Sequence, residues 1–230
     1  SEKITFIGCT ILNSKLVNET YIQYLIKYLN IFGIVGLCKL LFKYLKNKIS
    51  QKKTLAKIFN DKKIKIFEES NINSKKFLRL LKNNKPDLVV SIACNQKFKI
   101  KLFKFVKKGI INLHGGYLPD FPGVFTPFWN LYKRSKYAGC TVHWVDSNLD
   151  GGYILQRYKF KIKKNDTIFS LYDKISNKGL KILSKSLQLI IKNKIKKNTG
   201  IRNNYDVKKL NTFPKFLDGI RFRKQGFKSI

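Results

Sequence analysis

Short β-branched runs alternate along this chain with longer stretches of helical spacing. KITFIGC at 3–9, KIKIFEE at 63–69, DLVVSIAC at 87–94 and GIINLH at 109–114 read as strands, the first and third apolar enough to expect burial. GCTVHWV at 139–145 and GYILQRYKFKI at 152–162 read as two more, separated by the turn-rich DSNLDG. Apolar positions recur at helical spacing from about Val17 to Tyr28, over 31–49, from Ser74 to Leu81 and from Phe98 to Val106. Asp166 and Thr167 offer an N-cap for a long helix to about Ile191. This alternation predicts an α/β fold: a Rossmann-like, doubly wound and mostly parallel sheet, with ligands beyond the carboxyl ends of its strands.

The stretch 31–49 is the strongest amphipathic segment. Ile34, Leu37, Leu41, Tyr44 and Leu45 can share a helix face while Lys39, Lys43, Lys46 and Lys48 crowd elsewhere. Such a helix can cover the protein's own sheet, form a homodimer contact or lie on an anionic membrane surface. No run of about twenty uninterrupted apolar residues marks a transmembrane span.

Length and charge refine this picture. A chain of 230 residues suits one sizeable domain, expected over 1–199, with 200–230 a short basic C-terminal extension and not a separate domain. Hydrophobic residues at 43% exclude global disorder. The net charge of +35 attracts polyanions, yet the excess is lysine spread along the chain, with six arginines among 48 basic residues. A solvated lysine surface is the expectation, and nucleic acid is not the favoured partner. Cys9, Cys38, Cys94 and Cys140 lie far apart with no C-x-x-C pair, so neither a zinc site nor a disulfide framework is expected. ITFIGC opens the chain as a strand and not as a signal peptide, and the expected compartment is the cytoplasm.

Scarce residue types concentrate in INLHGGYLPDFPG, residues 111–123, which holds one of the two histidines, three of fourteen glycines and two of five prolines. Asn112 and His114 stand two apart and share one strand face, and Asp150 lies in the loop after the next strand. An amide donor, an imidazole and a carboxylate can stabilise an oxyanion and manage a proton, as acyl transfer to an amine requires. No Ser or Cys is placed as a nucleophile, so direct attack by an amine is the natural route. On residues alone the other reading also stands: a core histidine, and an aspartate that stabilises a turn.

Asn112-Leu113-His114, Leu118-Pro119, Gly123, Thr141-Val142-His143 and Leu149-Asp150-Gly151-Gly152 resemble, in order, the signature of the folate-dependent formyltransferases. That family includes glycinamide ribonucleotide transformylase, methionyl-tRNA formyltransferase and the sugar N-formyltransferases. The resemblance implies a metal-free transfer from 10-formyltetrahydrofolate to a primary amine. Asn112, His114 and Asp150 would be catalytic, and His143 would support or pack. It also implies a folate-lining region at Ile92, Ala93, Cys94, Asn95, Phe98, Asp146 and Leu149.

Departures from the family pattern bear on the acceptor. His114-Gly115-Gly116-Tyr117-Leu118-Pro119 stands where the family more often has His-Pro-Ser-Leu-Leu-Pro, which resembles the nucleotide-sugar enzymes. Gly115, Gly116, Tyr117, Phe125 and Trp129 are the expected acceptor-binding residues, with core packing the other reading of the aromatics. No glycine-rich phosphate loop follows Gly8, which disfavours the purine substrate. The thirty or so residues after Thr199 are short for the β-barrel of the tRNA enzymes. A nucleotide-linked amino-sugar is therefore the expected acceptor, with a tRNA-directed enzyme, or a basic nucleic-acid or membrane-surface binding module, as the alternative.

Overall fold

Alternation at the centre of the sheet decides what faces what. In INLH and CTVHW, every second residue is apolar, so Ile111, Leu113, Cys140, Val142 and Trp144 turn to one face. Asn112, His114, Thr141 and His143 turn to the other. The computed structural model of the protein describes residues 4–12, 19–49 and 54–226.

Four strands, β1 (Leu88–Ile92), β2 (Gly109–His114), β3 (Tyr137–Trp144) and β4 (Ile154–Lys161), lie in the order β1-β2-β3-β4. β1 and β2 are parallel; β3 is antiparallel to both β2 and β4, so three of the four strands point the same way. The register sets Asn112 opposite His143 and His114 opposite Thr141.

Helices cover both faces, as the doubly wound expectation requires. α6 (Ile168–Ile191) begins at the predicted cap, where Thr167 and Ser170 form a reciprocal capping box. Its Ile175, Ile182, Leu183 and Ile190 pack on the apolar face of β2 and β3. On the opposite face, α3 (Lys75–Asn84) and α4 (Ile100–Phe103) bury Phe77, Leu81 and Leu102 against Ile110. α5 (Thr126–Tyr132) joins a third cluster in which Phe128 meets Ile168 and Leu171 of α6.

Several elements differ from expectation. The first apolar run pairs with 63–69 only through one parallel bridge, Cys9 with Ile66, and Ile4 and Phe6 are exposed. The predicted burial fails because no further strand or helix among the described residues covers this pair, and strand propensity without neighbours builds no ladder. β1 is likewise only partly covered, with Val90 and Ile92 exposed at the sheet edge. The helix predicted over 98–106 shortens to one turn, because Phe98 and Val106 are both drawn into the core beside it. The predicted starts at Lys3 and Val17 lie outside the described residues.

The two predicted N-terminal helices form one element, α1 (Tyr21–Ile49), kinked at Gly33 with φ 66° and ψ 179°. α2 (Leu55–Asp61) follows it. α1 packs on α7 (Phe216–Lys224), where Gly219 lets the two backbones touch: a Cβ there would lie 1.8 Å from the Asn30 carbonyl oxygen. Arg223 Nη1 donates to the carbonyls of Asn30 and Ile31, each at 2.8 Å, next to the kink.

Candidate active site

Strand register and one loop bring the rare residues together. His114 and His143 are buried, and Asn112 is half-buried between them on the face away from α6. Asp150 arrives from the loop between β3 and β4. It is 8% exposed and sits in the left-handed region with φ 54°, which aims its carboxylate at both imidazoles. Asp150 Oδ1 lies 3.5 Å from His114 Nδ1 and 3.6 Å from His143 Nε2.

The proton positions follow from the partners. Trp144 O can only accept, so the His143 Nδ1 that lies 2.7 Å from it carries a proton. His143 Nε2 lies 3.2 Å from Asn112 Nδ2 and accepts from it when the ring is neutral. Phe121 O, 2.8 Å from His114 Nε2, fixes the other ring in the same way and leaves Nδ1 facing the carboxylate. His114 Nδ1 and His143 Nε2 thus converge on Asp150 Oδ1, and each lies within ion-pair distance of the carboxylate when its ring is protonated. Asn112 spends one amide N–H on His143 and keeps a second for a ligand.

Burial alone would raise the Asp150 pKa. The positive charge His114 can carry, the hydrogen bond and charge of His143 and the Gly123 N–H at 2.7 Å outweigh it, and lower the carboxyl from 3.8 to about 2. Asp150 is ionised at neutral pH.

The glycines of the loop have separate tasks. Gly116 is buried; a Cβ there would stand 2.3 Å from Phe121 O and 2.6 Å from His114 Nε2. Its missing side chain lets the loop fold over the histidine. Gly115, by contrast, has room for a methyl group, the nearest atom being Thr126 Oγ1 at 3.5 Å. Thr141 pins the loop: its hydroxyl donates to Gly116 O at 2.8 Å and accepts from Leu118 N–H at 3.0 Å, just before the cis Leu118–Pro119 bond.

The other expected ligand residues fall into two groups. Ile92 ends β1 and is exposed, and Ala93, Cys94 and Asn95 follow it, Ala93 in the left-handed region. Leu149 is exposed and Asp146 accepts from Asn148 N–H at 2.8 Å in the loop that carries Asp150. Phe98, however, is buried in the core beneath β1 and β2. Phe125 packs on Phe128 and Phe213 at ring distances of 6.0 and 5.1 Å, and Trp129 donates Nε1–H to Thr212 O at 2.8 Å. Tyr117 is half-buried, its ring beneath the Arg157 guanidinium at 4.9 Å and the Lys159 ammonium at 4.8 Å.

Sequence reasoning missed the residues that hold the site from the C-terminal side. Asn203 Nδ2 donates to the Asp150 carbonyl, and the Tyr205 hydroxyl donates to the Leu149 carbonyl. Asn211 binds the other side of the loop. Its backbone pairs with Gly123 in a parallel bridge, and its Nδ2 donates to Pro122 O at 2.9 Å. A lone asparagine in a polar tail carries no local signal of such contacts. Among the described residues no cluster of three or more His, Cys, Asp or Glu side chains is arranged to hold a metal.

Comparison with known proteins identifies relatives of this chain. The chain is 38% identical over 133 residues to the bifunctional polymyxin resistance protein ArnA of Wigglesworthia glossinidia brevipalpis, spanning 58% of this chain and 20% of that one. It is 31% identical over 129 residues to methionyl-tRNA formyltransferase of Halothermothrix orenii, or 56% of this chain and 41% of the relative. The chain therefore spans less than half the length of either protein. Among solved structures, the sugar 3N-formyl transferase WlaRD, determined in the presence of dTDP and 5-N-formyl-THF, superposes with a TM-score of 0.51 and 28% identity, covering 69% of this chain and 55% of that one. The formyl transferase domain matches residues 42–187, which include every strand of the sheet and the Asn112, His114, His143 and Asp150 cluster. With well over half its length in that match, the chain belongs to the formyl transferase family.

Proposed function

We propose that this chain transfers a formyl group from 10-formyltetrahydrofolate to the primary amine of a nucleotide-linked amino-sugar. The observation that carries the chemistry is the convergence of His114 Nδ1 and His143 Nε2 on Asp150 Oδ1 beside the Asn112 amide. The acceptor reading is supported by the likeness to a sugar 3N-formyl transferase whose structure was determined in the presence of dTDP.

The donor supplies an activated formyl carbon bound to nitrogen. Asn112 donates its free N–H to the oxyanion formed when the amine nitrogen bonds to that carbon. Removing one such donor typically costs about a hundredfold or more in rate. The amine must lose a proton as the C–N bond to the donor breaks. Asp150 draws that proton into the cluster, where His114 or His143 carries it, and it leaves on the departing donor nitrogen. Electrons and protons balance without a covalent enzyme intermediate. Exposed Ile92 and Leu149 offer apolar surface to a flat ring, while Phe98 does not, being buried.

A methionyl-tRNA acceptor is the second reading, favoured by the 31% identical relative and by the charge of +35. Purified protein supplied with 10-formyltetrahydrofolate and, in parallel, a panel of nucleotide-linked amino-sugars and methionyl-tRNA separates the two. Formylation of an amino-sugar with none of the tRNA is expected. The reverse result selects the tRNA reading, and no turnover with either removes both.

A further inference from the structure

α1 presents an apolar surface that the fold leaves uncovered. At 100° per residue, Ile34, Cys38, Leu41, Phe42 and Leu45 of its second limb fall within one arc, and all five are exposed. Lys39, Lys43 and Lys46 line one flank of that arc. The first limb continues the pattern with exposed Ile22, Leu25, Ile26 and Leu29. The helix sequence holds five lysines and neither Asp nor Glu.

By length and composition α1 could cross a bilayer. Its packing argues against that. The limbs before and after the Gly33 kink measure roughly 18 and 24 Å at 1.5 Å per residue, each short of the roughly 30 Å hydrocarbon core. Its midpoint is also the part docked on protein: Ile31 and Phe32 are buried against Phe222 and Phe128, with Arg223 on the adjoining carbonyls. Spanning would carry α7 and its arginines into the middle of the bilayer, where charge is costly. A helix held to its domain along one side, apolar outward and fringed by lysines, fits the plane of the membrane interface.

We propose that α1 docks this protein peripherally on an anionic lipid bilayer, its outward apolar arc in the headgroup boundary and its lysines on acidic headgroups. Charge selects this occupant, because Lys39, Lys43 and Lys46 flank the second limb's arc and the protein as a whole carries +35, which opposes a second copy of the same surface. Docking also sets the active-site loop near the lipid. On the inner side of α1, Phe32 lies 6.4 Å from Phe125, and Tyr28 lies 6.2 Å from Phe213. Those rings flank the Gly123–Asn211 contact that supports Asp150.

The test is co-sedimentation of the full chain with vesicles of phosphatidylcholine, with and without phosphatidylglycerol, and it does not depend on formyl transfer. Binding to the anionic vesicles only is expected, weakened about tenfold or more between low and high salt. Leu41→Glu/Phe42→Glu should abolish binding while leaving the thermal melt unchanged, since both side chains are exposed. Lys39→Gln/Lys46→Gln should weaken it without loss of fold. Equal binding to neutral vesicles, or binding indifferent to either double variant, overturns the proposal. So does a dimer that Leu41→Glu/Phe42→Glu dissociates, or selective binding of RNA with none of lipid.

Discussion

Replacing Gly116 and Gly115 by alanine, one at a time, tests whether the loop over His114 does what its geometry says. The two substitutions are the same chemically and adjacent in sequence, yet the structure separates them sharply. At Gly116 the new methyl would meet Phe121 O at 2.3 Å and His114 Nε2 at 2.6 Å, one of them backbone and both beneath a packed loop. Relief needs a displacement of nearly 1 Å, and overpacking of this kind costs about 1–3 kcal/mol. The atoms pushed apart are the two that share the 2.8 Å hydrogen bond fixing the imidazole, so turnover suffers as well. Misplacing a catalytic group by about 1 Å costs roughly a hundredfold. At Gly115 the methyl makes ordinary contact, and stability should change by less than about 0.5 kcal/mol. Urea denaturation midpoints and turnover with the best acceptor provide the measurements. If the two variants behave alike, or Gly115→Ala is the more damaging, the steric account of Gly116 is wrong.

Other substitutions address the remaining groups. Asp150→Asn should reduce turnover by about a hundredfold or more, because the cluster loses the charge that draws a proton in. The same carboxyl, moved from 3.8 to about 2, contributes about 2 kcal/mol of stability above pH 4; denaturation midpoints should show wild type and Asp150→Asn converging as pH falls from 4 towards 2. Asn112→Ala should lower kcat about a hundredfold with little change in melting temperature, since Asn112 is only half-buried. Asn203→Ala frees the carbonyl of a left-handed residue and should lower both stability, by about 1 kcal/mol, and kcat; an unchanged kcat in steady-state assays would remove its positioning role.

What could be read from sequence was what depends on near neighbours. The alternation in INLH set Asn112 and His114 on one face, and β2 has the predicted bounds, because side-chain direction in a strand is a local property. Thr167 was legible as a cap for the same reason. His143 reads as a strand residue that supports or packs; its place between Asn112 and Asp150 depends on cross-strand register, which no local pattern encodes. Phe125 and Trp129 illustrate a different limit. An aromatic beside a catalytic strand looks the same whether it lines a cleft or fills a core, and their packing partners, Phe213 and Thr212, lie more than eighty residues away along the chain. KITFIGC fails in the opposite sense, with a strand-like local preference and, among the described residues, a single bridge to Ile66 in place of a ladder.

The carboxylate shows how far the site extends beyond its motif. A left-handed, buried, ionised aspartate is costly twice over, in backbone conformation and in desolvation. Its Oδ2 is held by Gly123 N–H, which is presented by a turn that Asn211 bonds from both backbone and side chain. Its own carbonyl is held by Asn203, and the carbonyl before it by Tyr205. All three supporting residues lie after the matched family segment, which ends at 187. The family segment brings the reactive groups together, and the C-terminal segment holds the aspartate in its strained position. Each of its contacts opposes relaxation of Asp150 away from the imidazoles, so conformational strain is retained at the residue to which the proposed mechanism assigns the charge.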